Sequence, residues 1–130
     1  MDLFAYQCNS SIVKANALQG PIHPALGVAM DMSIQLQAAN GAICTLSLSF
    51  NNDGPLSTTF RYISDMATYV ARYDDLFDGK DQKIDVGHFD VSMNGIELQD
   101  REFFSAIRQR REPNSSVSQV LPCHQVLQPL

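Results

Sequence analysis

The side chains that could do chemistry in this chain of 130 residues are few and widely spaced. His23, His88 and His124 stand far apart, as do Cys8, Cys44 and Cys123. Metal sites need clustered ligands at short spacings, and Pro122-Cys123-His124 is not a chelating pattern, so no metal centre is expected. No serine sits in a nucleophile-elbow sequence. No G-x-G-x-x-G follows a strand and no phosphate-cradling Walker loop is present, so the chain carries no nucleotide fingerprint. Catalytic residues and cofactor ligands are therefore expected to be absent from it.

Two binding candidates remain. His23 lies in Gly20-Pro21-Ile22-His23-Pro24, a proline-stiffened loop between strands, where binding residues often sit. It reads either as a substrate-contacting group or as a turn histidine facing water. Arg61 and Arg72 fall on neighbouring strands and have two readings as well: a carboxylate clamp, or partners of Asp65, Asp74 or Asp75. Cys44 lies among core-facing residues and reads as a small hydrophobe.

Composition narrows the class. Nine basic against fourteen acidic residues give a net charge of −5, which argues against nucleic acid and against an anionic membrane surface. No apolar run reaches the roughly 20 residues a membrane helix requires. An odd number of distant cysteines suggests free thiols in a reducing cytoplasm. Asn9-Ser10-Ser11 and Asn114-Ser115-Ser116 match the glycosylation sequon, but no secretory signal accompanies them. Charge is also uneven. Residues 1–52 hold only Asp2, Lys14 and Asp31, while twenty charged side chains lie between Asp53 and Glu112. Solvated surfaces usually spread their charge, so a charge-poor stretch predicts surface covered by other protein.

The elements that must position these residues follow from periodicity. Residues 2–6 read as the tail of a helix, broken at Asn9-Ser10-Ser11. A strand is expected over 12–19, closed by Gly20-Pro21. Apolar and polar residues alternate strictly over 28–38 and again over 42–50, which predicts two strands with one apolar face each. Asn40-Gly41 between them is the strongest short hairpin signal, because both positions tolerate positive φ. Strands over 57–64 and 68–73 flank a tight turn at Asp65-Met66. An acidic, turn-rich stretch follows at 74–81, and weaker strands are expected over 82–86 and 89–93. Ile96, Phe103, Phe104 and Ile107 form the stripe of an amphipathic helix over about 96–110. Ser116 and Gln119 have capping-box spacing and open a last helix, in which Pro122 should cause a kink or a delayed start. The expected fold is α+β: a mostly antiparallel open sheet with helices packed on one face. The other face, rich in Thr, Ser, Gln and Ala, suits sheet-to-sheet docking and predicts a homo-oligomer.

The tail GIELQDREFFSAIRQRREPNSSVSQVLPCHQVL resembles the end of the glucose–fructose oxidoreductase, inositol dehydrogenase and rhizopine-catabolism family (Gfo/Idh/MocA). Members end with a helix, an arginine-glycine-acidic-proline turn and a final helix; here Arg110-Arg111-Glu112-Pro113 has arginine in place of the glycine. Residues 1–6 are similar to the family's step out of its catalytic helix, from the aspartate onward. Within the family, QGPIHPALGVAMDMSIQL and LSFNNDGP are similar to dehydrogenases of the 4-carboxy-2-hydroxymuconate semialdehyde type. The resemblance implies that residues 1–130 are a C-terminal substrate-binding and oligomerisation domain. It implies a Rossmann domain, the family's lysine and the catalytic Asp and His upstream of Met1. Asp2 and His23 are then expected to border a small-molecule substrate, with NAD(P) bound only in the full-length protein. The competing expectation is a stand-alone, non-catalytic α+β binding or assembly module.

Overall fold

A computed structural model describes residues 1–55, 57–89 and 95–128. They divide into two compact units, Met1–Asn52 with Ala106–Leu130 and Asp53–Ser105. The fold is α+β, and every strand ladder among the described residues is antiparallel.

The first unit is built on a three-stranded sheet. Helix α1 spans Asp2–Cys8, followed by strands β1 (Ile12–Gln19), β2 (Asp31–Ala38) and β3 (Ile43–Ser49), with β2 in the centre. Asn9 stops α1 in the left-handed conformation at φ 46, and the amides of Asn9 and Ser10 return to the carbonyls of Tyr6 and Ala5. Helix α3 (Val117–Leu127) lies against β1 and α1, and it continues through Pro122.

Register sorts the side chains onto two faces. Ala15 opposes Leu36 and Ala17 opposes Ile34, while across the other ladder Leu36 opposes Cys44 and Ile34 opposes Leu46. Ile34, Leu36 and Ala38 are buried, so the apolar alternation marks the covered face as expected. The open face carries Asn16, Leu18, Ser33, Gln35, Gln37, Ile43, Thr45 and Ser47. A bulge in β1 serves both faces. Ile12 opposes Ala38 and Lys14 opposes Gln37, so Val13 is an extra residue with no opposite number. Ile12 and Lys14 are two positions apart and would otherwise share a face. The bulge keeps isoleucine on the covered side and turns lysine to the open side.

Three expectations are corrected here. The strand expected from 28 begins at Asp31; Val28 instead accepts from the amide of His23, and Met30 from that of Phe50. The β2–β3 loop is the three residues left between 38 and 42, but positive φ is taken at one position of Asn40-Gly41 rather than at both. Ala38 donates to the Ala42 carbonyl and only Gly41 (φ 91) is left-handed, the usual geometry of a three-residue hairpin. Ser116 caps α3 without a side-chain bond to its backbone; the Gln119 carboxamide instead accepts from the Ser115 amide at 2.7 Å.

The second unit is a meander of β4 (Thr59–Ile63), β5 (Thr68–Arg72), β6 (Asp75–Asp78) and β7 (Lys83–Ile84). The expected turn at Asp65-Met66 is present, with the Ser64 hydroxyl accepting from the Met66 and Ala67 amides. The acidic stretch read as turns contains β6, reached through Tyr73 at φ 52. Of the strand expected over 89–93, residues 90–93 lie outside the described residues. Helix α2 runs Ile96–Gln109, with the amides of Arg110 and Arg111 closing onto Ile107 and Ala106 and Arg110 left-handed at φ 53. Its stripe of Ile96, Phe103, Phe104 and Ile107 is exposed, and Ala106 is the buried position. Periodicity identifies a face that would gain from cover; it does not supply the cover.

Candidate functional site

In the first unit, α1 and α3 flank a groove of about 790 Å³. Asp2, Tyr6 and Ser10 line it on one side, Asn114, Gln119 and Cys123 on the other. The β2–β3 hairpin pins the α1 wall in place. The Asn40 carboxamide donates to the Cys8 carbonyl at 2.9 Å and accepts from the Ala42 amide at 3.1 Å. The Asn40 amide reaches Ser10 Oγ, and the Ala39 amide reaches the Ser11 carbonyl. One asparagine thus shapes the turn and ties it to the end of α1.

Asp2 sits in the first turn of α1, and the buried Cys123 thiol donates to its Oδ1 at 3.8 Å. Burial pushes the Cys123 thiol above its ordinary pKa, and the neighbouring Asp2 charge pushes it further. The thiol therefore stays protonated and acts as a donor that orients the carboxylate, not as a nucleophile. Cys44 is likewise pushed up by burial, in keeping with its place beside Leu36.

His23 is placed by a different device. Its amide donates to the Val28 carbonyl, its carbonyl accepts from Gly27 at 2.9 Å, and Gly27 is left-handed at φ 70. The ring Nδ1 accepts from the Ala25 amide at 3.2 Å. An accepting Nδ1 carries no proton, so Nε2 holds it and is presented as a donor. Asp2 lines the groove, and His23 is not among the residues lining it. Arg72 forms an ion pair with Asp81 at 3.1 Å and lies over the Phe77 ring, while Asp75 pairs with Lys83 at 2.7 Å. Of its two readings Arg72 therefore takes the ion pair, and the partner is corrected to Asp81, nine positions on, in place of Asp65, Asp74 or Asp75. Among the described residues, no three His, Cys, Asp or Glu side chains group as metal ligands. No described helix is long and apolar enough to cross a membrane.

The described residues also provide no parallel strand feeding a glycine-rich helix start, the element that seats a dinucleotide. They do not fit a nicotinamide cofactor by themselves.

Residues 1–90 match the family of bacterial oxidoreductases, C-terminal. The chain belongs to this oxidoreductase C-terminal family. The family match covers α1 and both sheets, which are the elements that set the groove wall, the His23 loop and the open face. The chain is also 70% identical over 127 residues to a 4-carboxy-2-hydroxymuconate-6-semialdehyde dehydrogenase of Sphingobium sp. (strain NBRC 103272 / SYK-6). That alignment takes in 98% of this chain and 40% of the relative, so the oxidoreductase C-terminal chain spans well under half the relative's length. The resemblance read from residues 19–36 and from LSFNNDGP is borne out. Two features of the site had no sequence signal: the Cys123 donor to Asp2 and the Asn40 tie. The first joins residues 121 positions apart.

Proposed function

We propose that this chain is the substrate-side and assembly half of an NAD(P)-dependent dehydrogenase that oxidises a carboxylated semialdehyde. The observation that carries the reading is the 70% identity to a semialdehyde dehydrogenase across nearly the whole chain. The cofactor and the reacting aldehyde would be held mainly by residues outside this chain; the bound nicotinamide supplies hydride acceptance. This chain contributes binding. His23 presents Nε2–H as a donor to a substrate carboxylate, on a loop stiffened by two prolines and closed by Gly27. Asp2, oriented by the Cys123 thiol, borders the substrate from the wall of the α1–α3 groove. The open, charge-poor sheet face docks against a second copy, and a lysine in place of Thr45 would oppose that docking by its burial cost.

A chimera tests the reading. This chain replaces the matching 127 residues of the Sphingobium dehydrogenase, and reduction of nicotinamide is followed at 340 nm with the semialdehyde as substrate. Turnover within about tenfold of the parent is expected. In that chimera His23→Ala should raise KM about 10-fold or more with kcat little changed, the loss expected for one hydrogen bond to a charged group. A folded chimera that binds cofactor but does not turn over would leave the non-catalytic module as the better reading.

A further inference from the structure

The β2–β3 turn carries the dipeptide Asn40-Gly41, and its asparagine also acts beyond the turn. The Asn40 carboxamide donates to the Cys8 carbonyl at 2.9 Å, and its backbone amide donates to Ser10 Oγ at 3.2 Å. With the Ala39 amide on the Ser11 carbonyl, these bonds hold the C-terminal end of α1 to the hairpin. The helix needs that support: it has seven residues, too few to persist alone, and none of them is buried.

Asparagine followed by glycine is also a dipeptide prone to lose its side-chain nitrogen, because a residue without a Cβ lets its backbone nitrogen close on the preceding carboxamide. The Gly41 nitrogen attacks Cγ of Asn40 and a succinimide ring forms. The Cγ–Nδ2 bond breaks, and the nitrogen leaves as ammonia with the Gly41 amide proton. One water then opens the ring. Opening at Cγ leaves aspartate; opening at the backbone carbonyl leaves isoaspartate, with the chain running through the side chain. Nothing is oxidised or reduced. The turn is open to that water, since residues 39–41 are exposed and the space where a Gly41 side chain would stand is empty.

The fold restrains the same reaction. The Gly41 amide donates to the Ala38 carbonyl at 2.9 Å, and the Asn40 carboxamide is held at both ends, by the Cys8 carbonyl and the Ala42 amide. Attack requires the nucleophile to leave Ala38 and the carboxamide to let go of Cys8. Ring closure therefore proceeds from the untied state, whose population two side-chain hydrogen bonds lower by about tenfold or more.

We propose that Asn40-Gly41 is a self-modification site, whose deamidation is paced by the tie to α1 and severs that tie for good. Aspartate at position 40 still accepts from the Ala42 amide but has no hydrogen for the Cys8 carbonyl, and isoaspartate lengthens the turn backbone by a methylene. Either product loosens the α1 wall of the groove, and with it the contact between Asp2 and Cys123. Neither the modification nor the release depends on what the chain binds.

The test incubates the chain at pH 8 and 37 °C, folded and in urea, and follows each asparagine by peptide mass spectrometry and isoaspartyl methylation. Asn40 should convert in the folded chain, at least about tenfold more slowly than in urea. Asn94-Gly95, the chain's other such pair, calibrates the urea rate, where the two should match. The deamidated fraction isolated by ion exchange, and an Asn40→Asp variant, should keep the sheet signal in circular dichroism. Both should react with iodoacetamide at Cys123 at least about tenfold faster than fresh wild type, as the buried thiol becomes reachable. No conversion of Asn40 in the folded chain would overturn the site, and equal rates folded and unfolded would overturn its pacing by the tie. A deamidated chain whose Cys123 stays as shielded as before, or one that loses its sheet, would overturn the release of α1.

Discussion

The bulge at Val13 makes two single-residue deletions behave oppositely. Removing Val13 leaves Ile12 opposite Ala38 and Lys14 opposite Gln37 as consecutive residues, which restores an uninterrupted ladder with both side chains on their present faces. The loss is the partial burial of one mostly exposed valine, offset by removal of an unpaired bulge residue. The net change should lie within about 1 kcal/mol. Removing Asn16 draws the preceding residues forward by one. Ala15 then faces Gln35 on the open side, and Lys14 takes the place opposite Leu36, which is only 2% exposed. The bulge absorbs the rest of the shift, so the damage is confined to a lysine forced onto the covered face of the strand that α3 lies against. Snorkelling relieves part of that cost, leaving about 2–4 kcal/mol. At about 4 °C per kcal/mol for a chain of this size, the melting temperature should fall roughly 8–16 °C, read by circular dichroism. Equal destabilisation by the two deletions would refute the register on which the face assignment depends.

Other expectations follow from burial and from titrating groups. Leu36→Ala should cost about 3 kcal/mol in urea unfolding, the usual price of emptying a core leucine position, whereas Met66→Ala at the exposed β4–β5 turn should change stability by less than about 0.5 kcal/mol. Because the Cys123 pKa is raised, its contribution to stability is complete below the ordinary thiol value and is lost as pH rises through the raised one. Iodoacetamide labelling at pH 8 should therefore leave Cys123 largely unmodified and reach it only in more alkaline buffer. Glu112 runs the other way. Hydrogen bonds from Ser118 and then Ser116 hold its carboxyl below the usual range, so the stabilisation is present above the ordinary pKa and lost as pH falls through the depressed one. Glu112→Gln should lower the helix signal relative to wild type at pH 7, and the two curves should converge in acid.

Strand β1 was legible to the residue because Asn9-Ser10-Ser11 and Gly20-Pro21 bound it, and β2 and β3 because alternate residues of a strand share a face, which gathers Ile34, Leu36 and Ala38 on one side of β2 and Cys44 and Leu46 on one side of β3. The hairpin site was legible at Asn40-Gly41, but its turn type was not. That choice hangs on Asn40 bonding to the Cys8 carbonyl and to Ser10, 32 and 30 positions away. β6 hid within an acidic run because its aspartates are satisfied across strands and turns, Asp75 by Lys83 and Asp78 by the Lys80 and Gln82 amides. Local composition reports such residues as turn-formers. The His23 loop was visible through the prolines that frame it. The thiol that orients Asp2 was not, because nothing in either sequence neighbourhood refers to the other.

The end of α2 holds one more consequence. Arg110 occupies a left-handed backbone position that costs a residue with a Cβ about 1 kcal/mol and glycine nothing. The chain thus keeps an untapped thermal margin at an exposed helix stop, one that a search for hardier variants could collect without disturbing the groove or the open sheet.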